Sequence, residues 1–294
     1  MGYLAALFVV LSLTASIYLF SYAAKQSSVL HILFLETAIG LVLILPLLFF
    51  IDKLTLTEIF TKPTKENWCW LGSAAFFGYV GGNYFSLVNI KTAGQKVNAL
   101  LSPAITATAI IFSFFIFKEK LTGLQWLGIL IVLVAVAYFL LQNNSYEKIT
   151  NKKQGIISGV MTVFCIATTI ICSIKGADKN ISLLHAIWIR LLIAFIFILL
   201  PVLINSKKTT PKNHNLKFYT IVIFTVITQT IIGNYLWFYA TSLIGIAVFQ
   251  VILATLPLCV YATDVFILKK TEGSLLFLIV SLIVTAGICL VVFS

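Results

Sequence analysis

The sequence predicts an all-α polytopic membrane protein, with ten transmembrane helices in two inverted five-helix repeats. Three observations carry this. Of 294 residues, 61% are hydrophobic and only 10% charged, against about 25% charged in an ordinary soluble domain. The apolar residues gather into runs near the roughly 20 residues a helix needs to cross a bilayer core. Short echoes also recur at a nearly constant offset. Gly82-Asn83-Tyr84 returns as Gly233-Asn234-Tyr235 after 151 residues, Leu30-His31 as Leu184-His185 after 154, and Pro46 as Pro201 after 155. Duplication of one five-helix unit is the simplest cause.

Helices are required because backbone groups find no water in the hydrocarbon core. The first run, 3–23, has no cationic segment before it, so a cleaved signal peptide is not expected; Ala6 also spoils a myristoylation match. The second, 30–51, carries His31 and Glu36. The third, 68–88, opens on Trp68 and Trp70, where an interfacial anchor belongs, and closes on the Gly-Asn-Tyr echo. The fourth, 96–117, has a polar stripe of Gln95, Asn98, Ser102 and Thr106 beside Pro103. Trp126 anchors the fifth, 124–141. The sixth, 155–173, bears Ser158, Thr162, Cys165, Thr169 and Cys172 on one stripe, a pattern that favours helix packing. The seventh, 183–204, holds His185 and Arg190, and the eighth, 218–240, the second Gly-Asn-Tyr. The ninth, 245–268, spaces Gln250, Pro257, Tyr261 and Asp264 by seven, four and three; the tenth is 274–293.

Loops 52–67, 142–154 and 205–217 are too short for a domain, so the chain divides into repeats 1–145 and 146–294. An odd number of spans per repeat inserts the second upside down relative to the first. The net charge of +11 comes from lysines outside the apolar runs, a loop signature that argues against nucleic acid as partner. Those lysines do not set orientation. The first half favours a cytoplasmic amino terminus (Lys53, Lys62, Lys65, Lys118, Lys120), and the second the opposite (Lys207, Lys208, Lys212, Lys217, Lys269, Lys270). Five cysteines without CxxC spacing and three scattered histidines suggest neither a disulfide framework nor a metal site. No cofactor is called for. The absence of a Walker-A loop removes ATP as direct energy source, and the absence of HExxH or GxSxG gives an enzyme no foothold.

The chain resembles the drug/metabolite transporter superfamily, EamA type. The resemblance spans the whole length. It rests on the small-residue segment Gly78…Gly81-Gly82-Asn83-Tyr84, on Leu101-Ser102-Pro103, and on the acidic turn Phe117-Lys118-Glu119-Lys120-Leu121-Thr122. The corresponding second-half turn, Leu268-Lys269-Lys270-Thr271-Glu272, displaces its acidic residue. Where the family often has an Arg in the second span of a repeat, this chain has Arg190 in one half and Glu36 in the other. The resemblance implies a multi-pass protein of the cell inner (plasma) membrane with both termini cytoplasmic. It implies a secondary transporter, an exporter, that moves small metabolites such as amino acids or amphipathic amines by alternating access around a central cavity. The partners are then a small-molecule substrate and the lipid bilayer; a homodimer is left open. A lipid-flipping or channel-like protein of the same fold is the alternative.

Glu36 and Arg190 stand 154 residues apart at repeat-equivalent positions. An ionisable group inside a span is costly and faces the bundle interior or a watery cavity. They are read as contacts for a substrate amine and carboxylate, with Glu36 also the proton-coupling candidate; the alternative is a Glu36–Arg190 ion pair. His31 and His185, rotated about 140° from those charges, are read as interfacial caps. Tyr79, Asn83 and Ser86 share a face, as do Thr230, Asn234 and Thr241. Asn98, Ser102 and Gln250 are expected to line the cavity wall, while Tyr84 and Trp237 bracket a flat or apolar substrate moiety. Lys96 is expected to snorkel from its helix end.

Overall fold

A computed structural model describes residues 1–117, 122–141, 151–177, 180–204, 215–269 and 275–293, and every regular element among them is helical. The first half contains α1 (Gly2–Gln26), α2 (Val29–Phe50), the short α3 (Leu56–Thr61) and α4 (Lys65–Ala75). A π-helical segment (Phe76–Asn83) joins α4 to α5 (Tyr84–Ala93), followed by α6 (Gln95–Phe117) and α7 (Gly123–Leu141). The second half repeats the order with α8 (Lys152–Gly176), α9 (Leu183–Ile204) and α10 (Leu216–Thr225). A second π-helical segment (Val226–Gly233) leads to α11 (Asn234–Ile244), α12 (Ile246–Leu253) and α13 (Leu256–Ala262). A third (Thr263–Ile267) precedes α14 (Leu275–Phe293).

Local chemistry sets the boundaries. Ser28 accepts the His31 backbone N–H at the start of α2, and Thr55–Glu58 and Thr64–Asn67 form capping boxes on α3 and α4. Asn151 and Asn215 cap α8 and α10 in the same way. The breaks between α5 and α6 and between α11 and α12 each fall on one glycine, Gly94 at φ +95° and Gly245 at φ +77°. That region of backbone space costs a side-chain-bearing residue strain.

Among the described residues, eight helices are long and apolar enough to cross a membrane. A shorter apolar helix at α7 and the helical stretch Lys65–Ala93 lie at the sequence positions of the fifth and third expected spans, but neither is among those eight. The sequence reading needs three adjustments. The third span begins three residues earlier than expected and runs on to Ala93. The ninth, Val248–Ile267, tightens into a turn at Ala254–Thr255 between α12 and α13, ahead of Pro257, which has no N–H to continue the ladder. The 52–67 loop contains α3, which docks on α9. His185 Nε2–H donates to the Ile59 carbonyl at 2.8 Å, and the Ser182 hydroxyl donates to the Asp52 carboxylate. His185 therefore pins a helix from within, where an interfacial cap was expected. The inter-repeat segment 142–150, most of the 205–217 loop, and the turns at 118–121 and 270–274, with their lysines, lie outside the described residues.

Helix α2 packs on its counterpart α9, and α7 on α14. At the second contact Gly128 and Gly287 face each other closely. A Cβ at Gly128 would sit 2.6 Å from the Gly287 carbonyl oxygen, so small residues let the backbones touch. The outside of the bundle is apolar, with Phe50, Val42, Leu130, Phe266 and Leu282 exposed, the surface that a lipid solvent accepts and water does not.

Candidate functional site

Between the two halves lies a cavity of about 250 Å³. Both repeats build it: α1, α2, the first π segment, α5 and α6 from one, and α8, α9, the second π segment, α11, α12 and α13 from the other. Glu36 and Arg190 both reach it, at 1% and 7% exposure. They do not neutralise each other, since no ion pair joins them among the described residues. The Asn83 amide and the Thr230 hydroxyl both donate to Glu36 Oε1, at 3.2 and 3.0 Å, and Oε2 has no partner among the described residues. The Arg190 guanidinium lies over the Tyr79 ring, 5.4 Å from its centroid, with Nε unpartnered among the described residues. Contact with a ring face stabilises a cation without consuming its hydrogen-bond donors.

The π segments set this geometry. Each holds one extra residue per turn, which brings Asn234 within reach of carbonyls an α-helix would have satisfied. Its side-chain amide donates to the Thr230 carbonyl at 2.9 Å and the Gln229 carbonyl at 3.3 Å, and lies 3.5 Å from the Tyr79 hydroxyl. On the opposite wall, the Asn98 amide donates to Ser86 Oγ at 2.9 Å. Trp237 closes one side, edge-on to Phe249 and Phe238. The lining thus combines an acidic and a basic side chain that do not pair with each other among the described residues, several amides and hydroxyls, and apolar panels from Leu13, Phe20 and Leu253.

A family model matches the chain twice, over residues 1–141 and 153–293, under the description "EamA-like transporter family". The chain belongs to the EamA-like transporter family. One solved structure, a crystal structure of a protein, has the same fold with a TM-score of 0.71 at 14% sequence identity, over 99% of this chain and 96% of that one. No curated protein matches. This EamA-like chain is accordingly a multi-pass membrane protein of a transporter family.

Of the residues expected at the site, the transporter fold brings together Glu36, Tyr79, Asn83, Asn98, Ser102, Arg190, Asn234 and Trp237 around the cavity. Two lie outside the lining. Tyr84 packs against the apolar core beside Phe85. Gln250 turns to α6, where its Oε1 accepts from Thr106 at 2.8 Å. Of the remaining polar residues on the ninth-span stripe, Tyr261 stacks on Phe277 and Asp264 pairs with Lys96. The wall there is made instead by Leu253 and Leu256. Thr162 and Thr169, read from sequence as packing residues, line the cavity, as do the unanticipated Ser16 and Gln229.

Proposed function

We propose that this chain is a secondary transporter that exports small amphipathic metabolites carrying both an amine and a carboxylate, by alternating access around the central cavity. One observation carries the reading: a guanidinium and a carboxylate line one chamber, opposite in sign and not paired with each other. A charge buried without a counter-ion costs several kcal/mol. A ligand bearing the complementary charges offsets that cost at both ends. Arg190 receives the carboxylate, and Glu36 Oε2 accepts from the ammonium. Trp237 covers the apolar part, and Asn83, Asn98 and Asn234 orient the polar atoms. Glu36 is also the group through which a proton gradient would couple.

Size supports a small guest. A chamber of about 250 Å³ falls below the roughly 300–1,000 Å³ typical of drug-sized ligand sites. In the same reading the repeats, 1–145 and 146–294, are inverted five-span halves that rock around the site. Both termini are cytoplasmic and the membrane is the cell's inner membrane.

The test is a thermal-shift and proteoliposome screen of matched triplets: an amino acid, the amine lacking its carboxylate, and the acid lacking its amine. The zwitterion should stabilise and be transported best. Arg190→Gln should erase the advantage of the carboxylate, and Glu36→Gln that of the amine. Equal response to all three members, or lipid scrambling in place of solute flux, would refute it.

A further inference from the structure

We infer that Lys96 and Asp264 form a one-sided latch, closing the cavity at the end where α6 begins; the inference rests on the rocking-repeat reading above. Lys96 Nζ lies 3.5 Å from Asp264 Oδ2, with side chains 7% and 1% exposed. The pair crosses between halves, from the first turn of α6 to the π-helical segment beyond α13. The Tyr18 hydroxyl of α1 lies 3.0 Å from Asp264 Oδ1 and from the Val260 carbonyl oxygen, so three elements meet there.

The pair belongs to a seam with a second tie. Thr106 donates to Gln250 at 2.8 Å, so α6 runs antiparallel to α12 and α13, held at two points ten residues, roughly 15 Å, apart. The ties are unequal. Thr106–Gln250 is a neutral hydrogen bond, cheap to exchange. Separating a buried ammonium from a buried carboxylate takes from each an opposite charge at close range, a larger loss than that of a neutral bond. The repeat offset of 151 residues maps Lys96 and Asp264 onto Ala247 and Ser113, which carry no charge. The repeat-equivalent pair is therefore not ionic, and the duplication places this charged tie at one end alone.

The decisive variant removes both charges together, Lys96→Met with Asp264→Asn, so that neither is left stranded. Two cavity-lining reporters read the ends separately: Ile90→Cys, just before Gly94 and the start of α6, and Ile170→Cys, near the far end of α8. Labelling with a membrane-impermeant maleimide is compared with the same protein lacking the reporter, which accounts for its own cysteines. In the double variant, labelling at Ile90→Cys should rise about tenfold or more and that at Ile170→Cys should fall. The charge swap Lys96→Asp with Asp264→Lys should restore slow labelling at Ile90→Cys. Tyr18→Phe, which keeps both charges, should give a smaller rise. Unchanged reporter labelling in a double variant that stays monodisperse would overturn the latch, even if its melting temperature falls, because the pair would then be static glue. So would equal increases at both reporters. None of these readouts needs a transported substrate, so a failed substrate screen leaves the latch standing, and the converse holds too.

Discussion

Replacing Glu36 separates its structural role from its charge. Both donors that reach it, the Asn83 amide and the Thr230 hydroxyl, converge on Oε1, while Oε2 has no partner among the described residues. Glutamine keeps that acceptor and places its NH₂ where Oε2 stands, so Glu36→Gln should cost less than about 1 kcal/mol of stability. Alanine removes the acceptor. The buried Thr230 hydroxyl is then unsatisfied at about 1–3 kcal/mol while the half-buried Asn83 amide can turn to the cavity, so Glu36→Ala should lose about 1–3 kcal/mol. Detergent-solubilised protein should therefore melt lower for Glu36→Ala than for Glu36→Gln. The two variants should behave alike in transport: reconstituted with an imposed proton gradient, each should lose gradient-driven accumulation. The reasoning fails if Glu36→Gln is as unstable as Glu36→Ala. It also fails if Glu36→Gln still accumulates substrate in proportion to the gradient.

Other expectations follow from the same geometry. Arg190→Gln removes charge-assisted bonds worth about 1.5–3 kcal/mol, so affinity for the carboxylate-bearing member of a matched triplet should fall roughly 10- to 150-fold by calorimetry. Gly128→Ala drives a Cβ to 2.6 Å from a backbone oxygen of α14 and should destabilise by about 1–3 kcal/mol. Gly123→Ala, with nothing within 4 Å, should leave the melting temperature unshifted in the same assay. On α3, the Thr55 backbone N–H and then its hydroxyl hold the Glu58 carboxyl below its ordinary range. Its capping contribution is present at neutral pH and is lost as pH falls through that depressed value. Protection factors across α3, with the intrinsic pH dependence of amide exchange divided out, should thus fall on acidification, and Glu58→Gln should remove that acid dependence.

Periodicity and the echoes between halves were enough to read the helices, because a bilayer permits little else to a chain this apolar. Faces were legible where the helix stays α: Asn98 and Ser102 meet the cavity as a period of 3.6 requires. They blur across the π segments. A surplus residue there shifts register, which is why Gln229, five residues before Asn234, reaches the cavity without belonging to the Thr230–Asn234 stripe. Ser16 has only the small hydroxyl of Ser12 at helical spacing, too weak a stripe to flag it. Lys96 was misread for another reason. At a helix start a lone lysine looks free to reach water, and its partner Asp264 stands 168 residues away. Pairings across the duplication leave no local trace. Likewise the Thr106 hydroxyl is satisfied by Gln250 Oε1, so a polar residue at a plausible face turned inward to its neighbour.

Gly94 and Gly245 join consecutive helices through a single residue each, and such a joint has no slack. At Gly94 the backbone N–H returns to the Asn89 carbonyl at 3.2 Å, so the elbow is clamped as well as short. A tilt of α5 must reach α6 almost undamped, and a tilt of α11 must reach α12. In the rocking-repeat proposal each elbow would act as a crank, carrying displacement around Ile90 or Trp237 to the facing wall of the chamber. One inserted residue at either joint would uncouple the arms while leaving every helix intact.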